Sequence, residues 1–180
     1  MKKIKIFAVL LLMPILFSGC AMKEAFTNSI VTNYSLTDAS LKQVQFYTSQ
    51  TIVLESSNSS SSVYVDQGKL ISNKNSKNYN VVIEPQTKCI FEKKAEDGAI
   101  YVRFEEGKYK YLKFKTRPND PSGRYYLAID RYEGNRGVVT YDNHIYYVSS
   151  YGANSYLLVS VRRIQQSFGR TRTVRGMKVY

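Results

Sequence analysis

Residues 100–115 read Ile-Tyr-Val-Arg-Phe-Glu-Glu-Gly-Lys-Tyr-Lys-Tyr-Leu-Lys-Phe-Lys. Every second residue from Ile100 to Phe104 is apolar, and the residues between them are polar or amphipathic. A period of two is typical of a strand with one buried face. Gly107 interrupts the pattern, which then resumes and continues to Phe114. The stretch therefore predicts two antiparallel strands joined by a turn.

Short apolar stretches recur along most of the chain, separated by turn residues such as Asp97-Gly98. The other predicted strands are Thr51–Glu55, Val63–Val65, Lys69–Ser72, Val81–Glu84, Lys88–Lys93, Tyr125–Arg131, Gly137–Asp142, Ile145–Ser149 and Tyr156–Arg163. Residues 37–47 fit either one short helix or a first strand. This spacing predicts an all-β, mainly antiparallel fold, a small barrel or sandwich, with at most one short helix near the start of the mature domain.

The first 20 residues have the layout of an export signal. Three lysines at positions 2, 3 and 5 precede an apolar run over residues 6–17, and the small residues Ser18 and Gly19 follow. The alternatives are an uncleaved membrane anchor or a buried helix. The run is shorter than the roughly 20 residues that span a bilayer, which favours a cleaved signal peptide.

The sequence Leu16-Phe17-Ser18-Gly19-Cys20 resembles the lipobox of bacterial lipoproteins. The resemblance implies that the Cys20 thiol receives a diacylglyceryl group, that the chain is cut before Cys20, and that the new amino terminus is acylated. The alternative is a disulfide cysteine after an ordinary signal peptide. Ala21, where an aspartate would retain a lipoprotein in the inner membrane, implies the outer membrane in a host with two membranes.

The predicted organisation is a signal peptide over 1–19, a lipidated tether over 20–36, a β-rich domain over 37–164 and a basic tail over 165–180. The net charge is +12, of which about +9 belongs to the mature chain. Such a charge favours anionic envelope surfaces, and the exported location argues against nucleic acid as a partner. Two cysteines and one histidine make a zinc site improbable, we expect no cofactor, and Cys89 is interpreted as a buried apolar side chain.

The one arrangement that suggests an enzyme involves His144, the sole histidine, with Asp142 two residues before it and Ser149 and Ser150 downstream. A hydrolase built on His144 and Asp142 is therefore one hypothesis. The same residues fall where a hairpin turn is expected, and aspartate and asparagine are common in turns. We expect turn chemistry, and so no enzyme and no catalytic residue.

Two further patterns concern ligands. The chain has 16 tyrosines and no tryptophan, and residues 108–115 interleave lysines with aromatic side chains. Tyrosines on a sheet stack on sugars, although they are also ordinary strand residues. The tail carries Arg170, Arg172, Arg175 and Lys178 with no acidic residue after Asp142, which is typical either of an arm that contacts an anionic surface or partner or of a disordered chain end. The leading hypothesis is a non-enzymatic envelope lipoprotein with an interaction or assembly role, and the alternative is a module that binds a glycan or another envelope ligand through its tyrosines.

Overall fold

The computed structural model describes residues 22–56, 62–66, 69–73, 80–169 and 177. The predicted signal peptide and Cys20 lie outside these residues. Within the described ranges, no helix has both the length and the apolar character needed to cross a membrane.

The secondary structure consists of short strands and four short helices. In chain order they are β1 (Glu24–Ala25), α1 (Asn28–Asn33), α2 (Asp38–Leu41), β2 (Gln45–Thr48), β3 (Ile52–Ser56), β4 (Ser62–Asp66), β5 (Lys69–Asn73), β6 (Val81–Ile83), β7 (Lys88–Lys94), β8 (Ile100–Arg103), β9 (Tyr111–Thr116), β10 (Tyr125–Leu127), β11 (Arg131–Glu133), β12 (Arg136–Tyr141), β13 (His144–Val148), α3 (Ser150–Ala153), β14 (Leu157–Val159) and α4 (Val161–Phe168).

The strands form two main sheets and a hairpin. The larger sheet has the order β1-β14-β2-β7-β8-β9-β10, and the smaller one has the order β11-β12-β13-β3-β6. Strands β4 and β5 form a separate antiparallel hairpin in which Asp66 lies opposite Lys69. All of the strand pairs described are antiparallel. The predicted all-β, mainly antiparallel class is confirmed, and the two sheets form a sandwich.

The two edges of the larger sheet lie side by side. Isolated bridges pair Thr27 with Arg124 and Tyr126 with Tyr156. The Leu127 amide donates to the Ser155 carbonyl at 2.8 Å, which adds a further main-chain bond across the same junction. These bonds occupy polar groups that an open edge would leave available to another chain.

One apolar core contains side chains from both sheets. Val102 and Phe114 belong to the larger sheet and Leu54 and Val148 to the smaller one, and all four are fully buried. Burying a side chain of this size contributes about 1.5–3 kcal/mol relative to leaving it in water. Cys89 also lies in this core as a free cysteine that is 2 % exposed, and burial raises the pKa of its thiol. The interpretation of Cys89 as a buried apolar side chain is confirmed.

Residues 24–36 are part of the folded domain, although they were predicted to belong to the tether. Strand β1 pairs with β14, and α1 follows it with Thr27 as its N-cap. Phe26 is completely buried, with its ring centroid 5.0 Å from that of Phe46. Leu36 is 7 % exposed and belongs to the same core. The domain therefore begins near Glu24 and not at residue 37, because the buried Phe26 side chain anchors this segment in the core.

The C-terminal end of the domain also differs from the predicted one. The strand predicted over Tyr156–Arg163 ends at Val159, and helix α4 follows it. Ile164 is buried on the core side of this helix, whereas Gln165 is exposed. The predicted tail from residue 165 therefore starts inside a helix. With α4, the described residues contain four short helices where at most one was expected.

The two predictions for residues 37–47, a short helix and a first strand, are each correct for part of the segment. Thr37 caps α2 by accepting the amide of Ser40 at 3.3 Å, and strand β2 begins at Gln45. Leu41 and Val44 are buried between the two elements. The segment contains a helix followed by a strand, and each is too short to show its own period clearly.

Candidate functional site

A cleft of about 340 Å³ lies where the outer face of β8 and β9 meets β12 and the turn that follows it. We call it the tyrosine–lysine cleft. Its lining residues are Lys93, Tyr101, Tyr109, Tyr111, Leu112, Lys113, Ala128, Asp130, Val139, Thr140 and Asn143. It is within the range of volumes that small-molecule sites occupy.

The aromatic wall of the cleft follows from strand alternation. Leu112 faces the core, so its neighbours Tyr111 and Lys113 project from the opposite face of β9. Tyr101 on β8 lies diagonal to Tyr111, and the two ring centroids are 5.3 Å apart at an interplanar angle of 84°. Tyr109 continues the row, 6.5 Å from Tyr111. Edge-to-face packing of this kind fixes the rings as a rigid surface.

Lys93 is the cation held against this wall. Its ammonium lies 4.9 Å from the Tyr101 ring centroid and 5.3 Å from that of Tyr111. A register shift between Phe91 and Lys93 in β7 brings Lys93 opposite Tyr101. Bulges commonly redirect side chains in this way next to functional sites. No carboxylate pairs with Lys93 in the described part of the chain, so its charge is open to a ligand.

Lys113 is the second cation of the cleft, and it is shared with Asp97. The ammonium of Lys113 donates to Asp97 Oδ2 at 3.0 Å, and so does that of Lys115. The hydrogen bond with Asp97 raises the pKa of Lys113. Bonds from Lys115 and Lys113 hold the pKa of the Asp97 carboxyl well below its usual range. Asp97 therefore fixes the position of Lys113 beside the tyrosines and neutralises part of its charge.

Tyr109 has an unusual backbone. Its φ is +63°, in the left-handed region that tyrosine rarely adopts, and its side chain is 52 % exposed. The Tyr109 carbonyl accepts the amide of Asp142 at 2.9 Å, which joins this loop to the turn after β12. Strained residues of this kind persist where surrounding contacts fix them and are common at ligand sites. The strand expected from Lys108 begins only at Tyr111, because Lys108 and Tyr109 form the turn.

The wall opposite the tyrosines is polar. Thr140 on β12 donates its hydroxyl to Asp130 at 3.3 Å, and Asn143 lies in the adjoining turn. Asp142 and Asn143 have φ values of +48° and +61°, as a two-residue turn of type I′ requires. Carboxylate, hydroxyl and amide groups thus face the aromatic rings across the cleft.

His144 directly follows this turn, as the first residue of β13. Tyr141 pairs with His144, so the predicted turn at Asp142-Asn143-His144 is confirmed. The His144 ring is exposed, and its Nδ1 donates to the main-chain carbonyl of Asp142 at 2.6 Å, not to the carboxylate. Ser149 accepts the amide of Gly152 at 3.2 Å as the N-cap of α3. These contacts are those of turns and caps and do not assemble a nucleophile with its base.

The tyrosines at positions 141–156 divide between packing and surface. Tyr141 and Tyr146 are buried, whereas Tyr151 is 63 % exposed. The Tyr141 hydroxyl donates to Glu105 at 3.0 Å, and Lys110 donates to the same carboxylate at 2.8 Å. The bond from Lys110, and to a lesser degree that from Tyr141, lowers the pKa of Glu105.

The other predicted site residues are not in the described structure: Cys20, Arg170, Arg172, Arg175 and Lys178 all lie outside it. Sequence reasoning identified the lysine–tyrosine pattern of residues 108–115 but missed Lys93, Asp130, Thr140 and Asn143. The sequence shows the Asp142-Asn143 turn. It shows no local pattern that would predict the packing of β12 near β9. No group of three metal-ligating side chains occurs within the described ranges.

Comparisons with known proteins add no relative to this description. A scan against protein-family models, a search of curated proteins and a search of solved structures each gave no match.

Proposed function

We propose that this chain is a lipid-anchored protein of the bacterial envelope whose β domain binds an anionic glycan in the tyrosine–lysine cleft, without catalysing a reaction. One observation supports this function above others. Three tyrosine rings, two lysines and the polar side chains of Asp130, Thr140 and Asn143 line one cleft of about 340 Å³.

The chemistry of the two walls suits a sugar. The C–H faces of a pyranose pack on aromatic rings, and its hydroxyls need planar or hydroxylic partners such as Asp130, Thr140 and Asn143. Lys93 and Lys113 would pair with a carboxylate or phosphate on the sugar. An anionic glycan can therefore bind the aromatic rings, the polar side chains and the lysines of the cleft, whereas a neutral glycan leaves the Lys93 charge without a partner.

The proposed location rests on the first 20 residues. Their charge, apolar run and cysteine resemble a lipoprotein signal, so the mature chain would carry lipid on Cys20. Each buried methylene contributes about 0.8 kcal/mol, so two or three acyl chains hold a protein on a membrane essentially permanently. In a host with two membranes, Ala21 favours the outer one.

An interaction or assembly role is the second candidate, and one edge strand favours it. All three residues of β11 are exposed, including Tyr132 at 65 %, and β11 ends the smaller sheet. An exposed edge offers main-chain groups to another strand. Under this alternative, substitution of Tyr132 by aspartate would abolish a complex that chemical cross-linking captures in the envelope.

The test of glycan binding uses the full mature chain with Cys20→Ser, which removes the lipid attachment site. Its affinity for a galacturonic acid oligomer is compared with that for a neutral galactose oligomer of equal length, by titration calorimetry. We expect preference for the acidic oligomer. Lys93→Gln and Tyr109→Ala should each weaken binding about fivefold or more, since one charge-assisted hydrogen bond or one stacking contact is worth about 1 kcal/mol or more.

The matched controls are Lys88→Gln and Tyr132→Ala, which alter exposed residues of the same types outside the cleft. Both should bind the acidic oligomer like the parent chain. Equal losses in the cleft variants and the controls, or equal affinity for both oligomers, would refute the proposed function.

A further inference from the structure

A second cleft, of about 320 Å³, lies between helix α4 and strand β2. We call it the helix cleft. Its lining residues are Gln43, Val44, Gln45, Tyr47, Ser160, Arg163, Ile164, Gln166, Ser167 and Phe168. Amide, hydroxyl and guanidinium groups therefore stand beside apolar side chains in one depression. None of these residues takes part in the tyrosine–lysine cleft.

Two polar groups of the helix cleft have no partner among the described residues. The Ser160 hydroxyl is buried and makes no hydrogen bond, although Ser160 occupies the N-cap position of α4, where serine usually bonds to the helix backbone. Arg163 has no carboxylate partner. A buried polar group without a partner carries a desolvation cost, which a bound acceptor would relieve.

The helix cleft is adjacent to the chain end that the lipid would hold. Tyr47 lines the cleft, and the ammonium of Lys23 lies 3.8 Å from the centroid of its ring. Lys23 also donates to Gln86 at 2.6 Å, so its position is fixed. Three residues of fully extended chain span at most about 10–11 Å, and Lys23 is three residues from Cys20. Lipid on Cys20 would therefore keep this face of the domain against the headgroups.

We propose that the helix cleft binds the phosphate of an anionic phospholipid headgroup. Arg163 would pair with the phosphate through its guanidinium fork, and the Ser160 hydroxyl would donate to a phosphate oxygen. Gln43 and Gln166 would supply amide donors for the remaining oxygens or the glycerol hydroxyls, whereas the Gln45 amide already donates to the carbonyls of Phe46 and Cys89. The choice of a lipid as the source of the phosphate rests on the proposed anchor at Cys20, because the anchor brings the cleft to the membrane.

The test uses the full mature chain with Cys20→Ser and monomeric short-chain phosphatidylglycerol, so that no charged surface contributes. We expect saturable binding, with much weaker binding of short-chain phosphatidylcholine. Arg163→Gln should weaken the affinity about tenfold, and Ser160→Ala should weaken it severalfold without lowering the melting temperature, because its buried hydroxyl makes no bond in the free protein. Arg162→Gln is the matched control, since Arg162 is exposed on the same helix and does not line the cleft.

Three outcomes would overturn the headgroup site. They are equal losses for Arg162→Gln and Arg163→Gln, equal binding of the two lipids, and displacement of phosphatidylglycerol by inorganic phosphate at the same concentration, which would make the ligand free phosphate. The anchor is tested separately by palmitate labelling of wild type and of Cys20→Ser. Absence of label from the wild type with the Arg163 effect intact removes the anchor and keeps the site, whereas label with no Arg163 effect removes the site alone.

Discussion

The region of strands β7–β9 and helix α4 both carry cationic side chains, but the two regions differ in how many of these cations have a carboxylate partner. On the strands, Glu92 binds Arg103, Glu105 binds Lys110, and Asp97 binds two lysines. On α4, Arg162 and Arg163 have no carboxylate partner in the described part of the chain, because acidic residues end at Asp142. The paired cations of this strand region therefore contribute to the shape of the domain, whereas the two arginines of the helix, like Lys93 in the tyrosine–lysine cleft, are available to a ligand.

The largest effect expected concerns the position of α4. Ile164 is 3 % exposed and holds the helix against the core. Ile164→Ala should lower the free energy of unfolding by about 2–5 kcal/mol, from lost burial and the cavity left behind. The measurement is denaturant unfolding of the mature chain. Gln165→Ala, on the exposed side of the same helix, is the control. Equal stability of the two variants would mean that α4 does not pack against the core. The strand region and the helix would then differ in whether they are ordered, and not in how their cations are paired.

A smaller effect on stability is expected from loss of the two-bond ion pair between Glu92 and Arg103. Two hydrogen bonds of 2.6 and 2.8 Å join them, and their side chains are still 29 % and 24 % exposed. Glu92→Gln should lower the melting temperature, by less than Ile164→Ala because solvent screens the pair. Arg162→Gln removes a charge that has no partner and should leave the melting temperature unchanged. If both substitutions have the same effect, the strand cations are no more engaged than the helix cations.

The smallest effect expected is a pH dependence due to Asp97. Bonds from Lys115 and Lys113 depress the pKa of Asp97 in the folded protein. A depressed pKa contributes stability that is fully present above the unfolded value near 4 and is lost as the pH falls through the folded value. Asp97→Asn should therefore lower the melting temperature at pH 7 and flatten its decline below about pH 4. Melting curves from pH 2 to 7 measure this, and parallel curves for the variant and wild type would contradict the role of Asp97.

Much of the fold could be predicted because the strands of the sandwich alternate cleanly. Ile100 and Val102 face inward, as their period indicates, and the Asp142-Asn143 turn carries its own residue signature. Helix α4 was missed because the β-branched residues Val159 and Val161 continue the pattern of β14 into it. Its helical signal, Val161, Ile164 and Phe168 on one face, covers barely two turns.

The candidate site was less predictable for a different reason. The row of tyrosines and lysines in residues 108–115 is local, and the sequence shows it. Lys93 joins them only through the register shift in β7, and Asp130 and Thr140 only through the contact between sheets. Strand register and sheet packing are set by tertiary contacts far apart in sequence, which no short pattern records. The tether was missed similarly, since β1 is two residues long and is defined by its partner β14.

The pairing of β1 with β14 has a consequence for biogenesis. Glu24 lies opposite Val159, so nearly the whole described chain separates the two partners. Loop closure over such a distance is slow, and it cannot start before the last strand is available. During synthesis, strand β1 would therefore lack its partner, and the Phe26 amide its bond to the Leu157 carbonyl, until residues 157–159 have emerged. In the lipoprotein proposed above, β1 would pair with β14 only after nearly the whole chain has been translocated, so the domain would dock beside its lipid anchor only at that point.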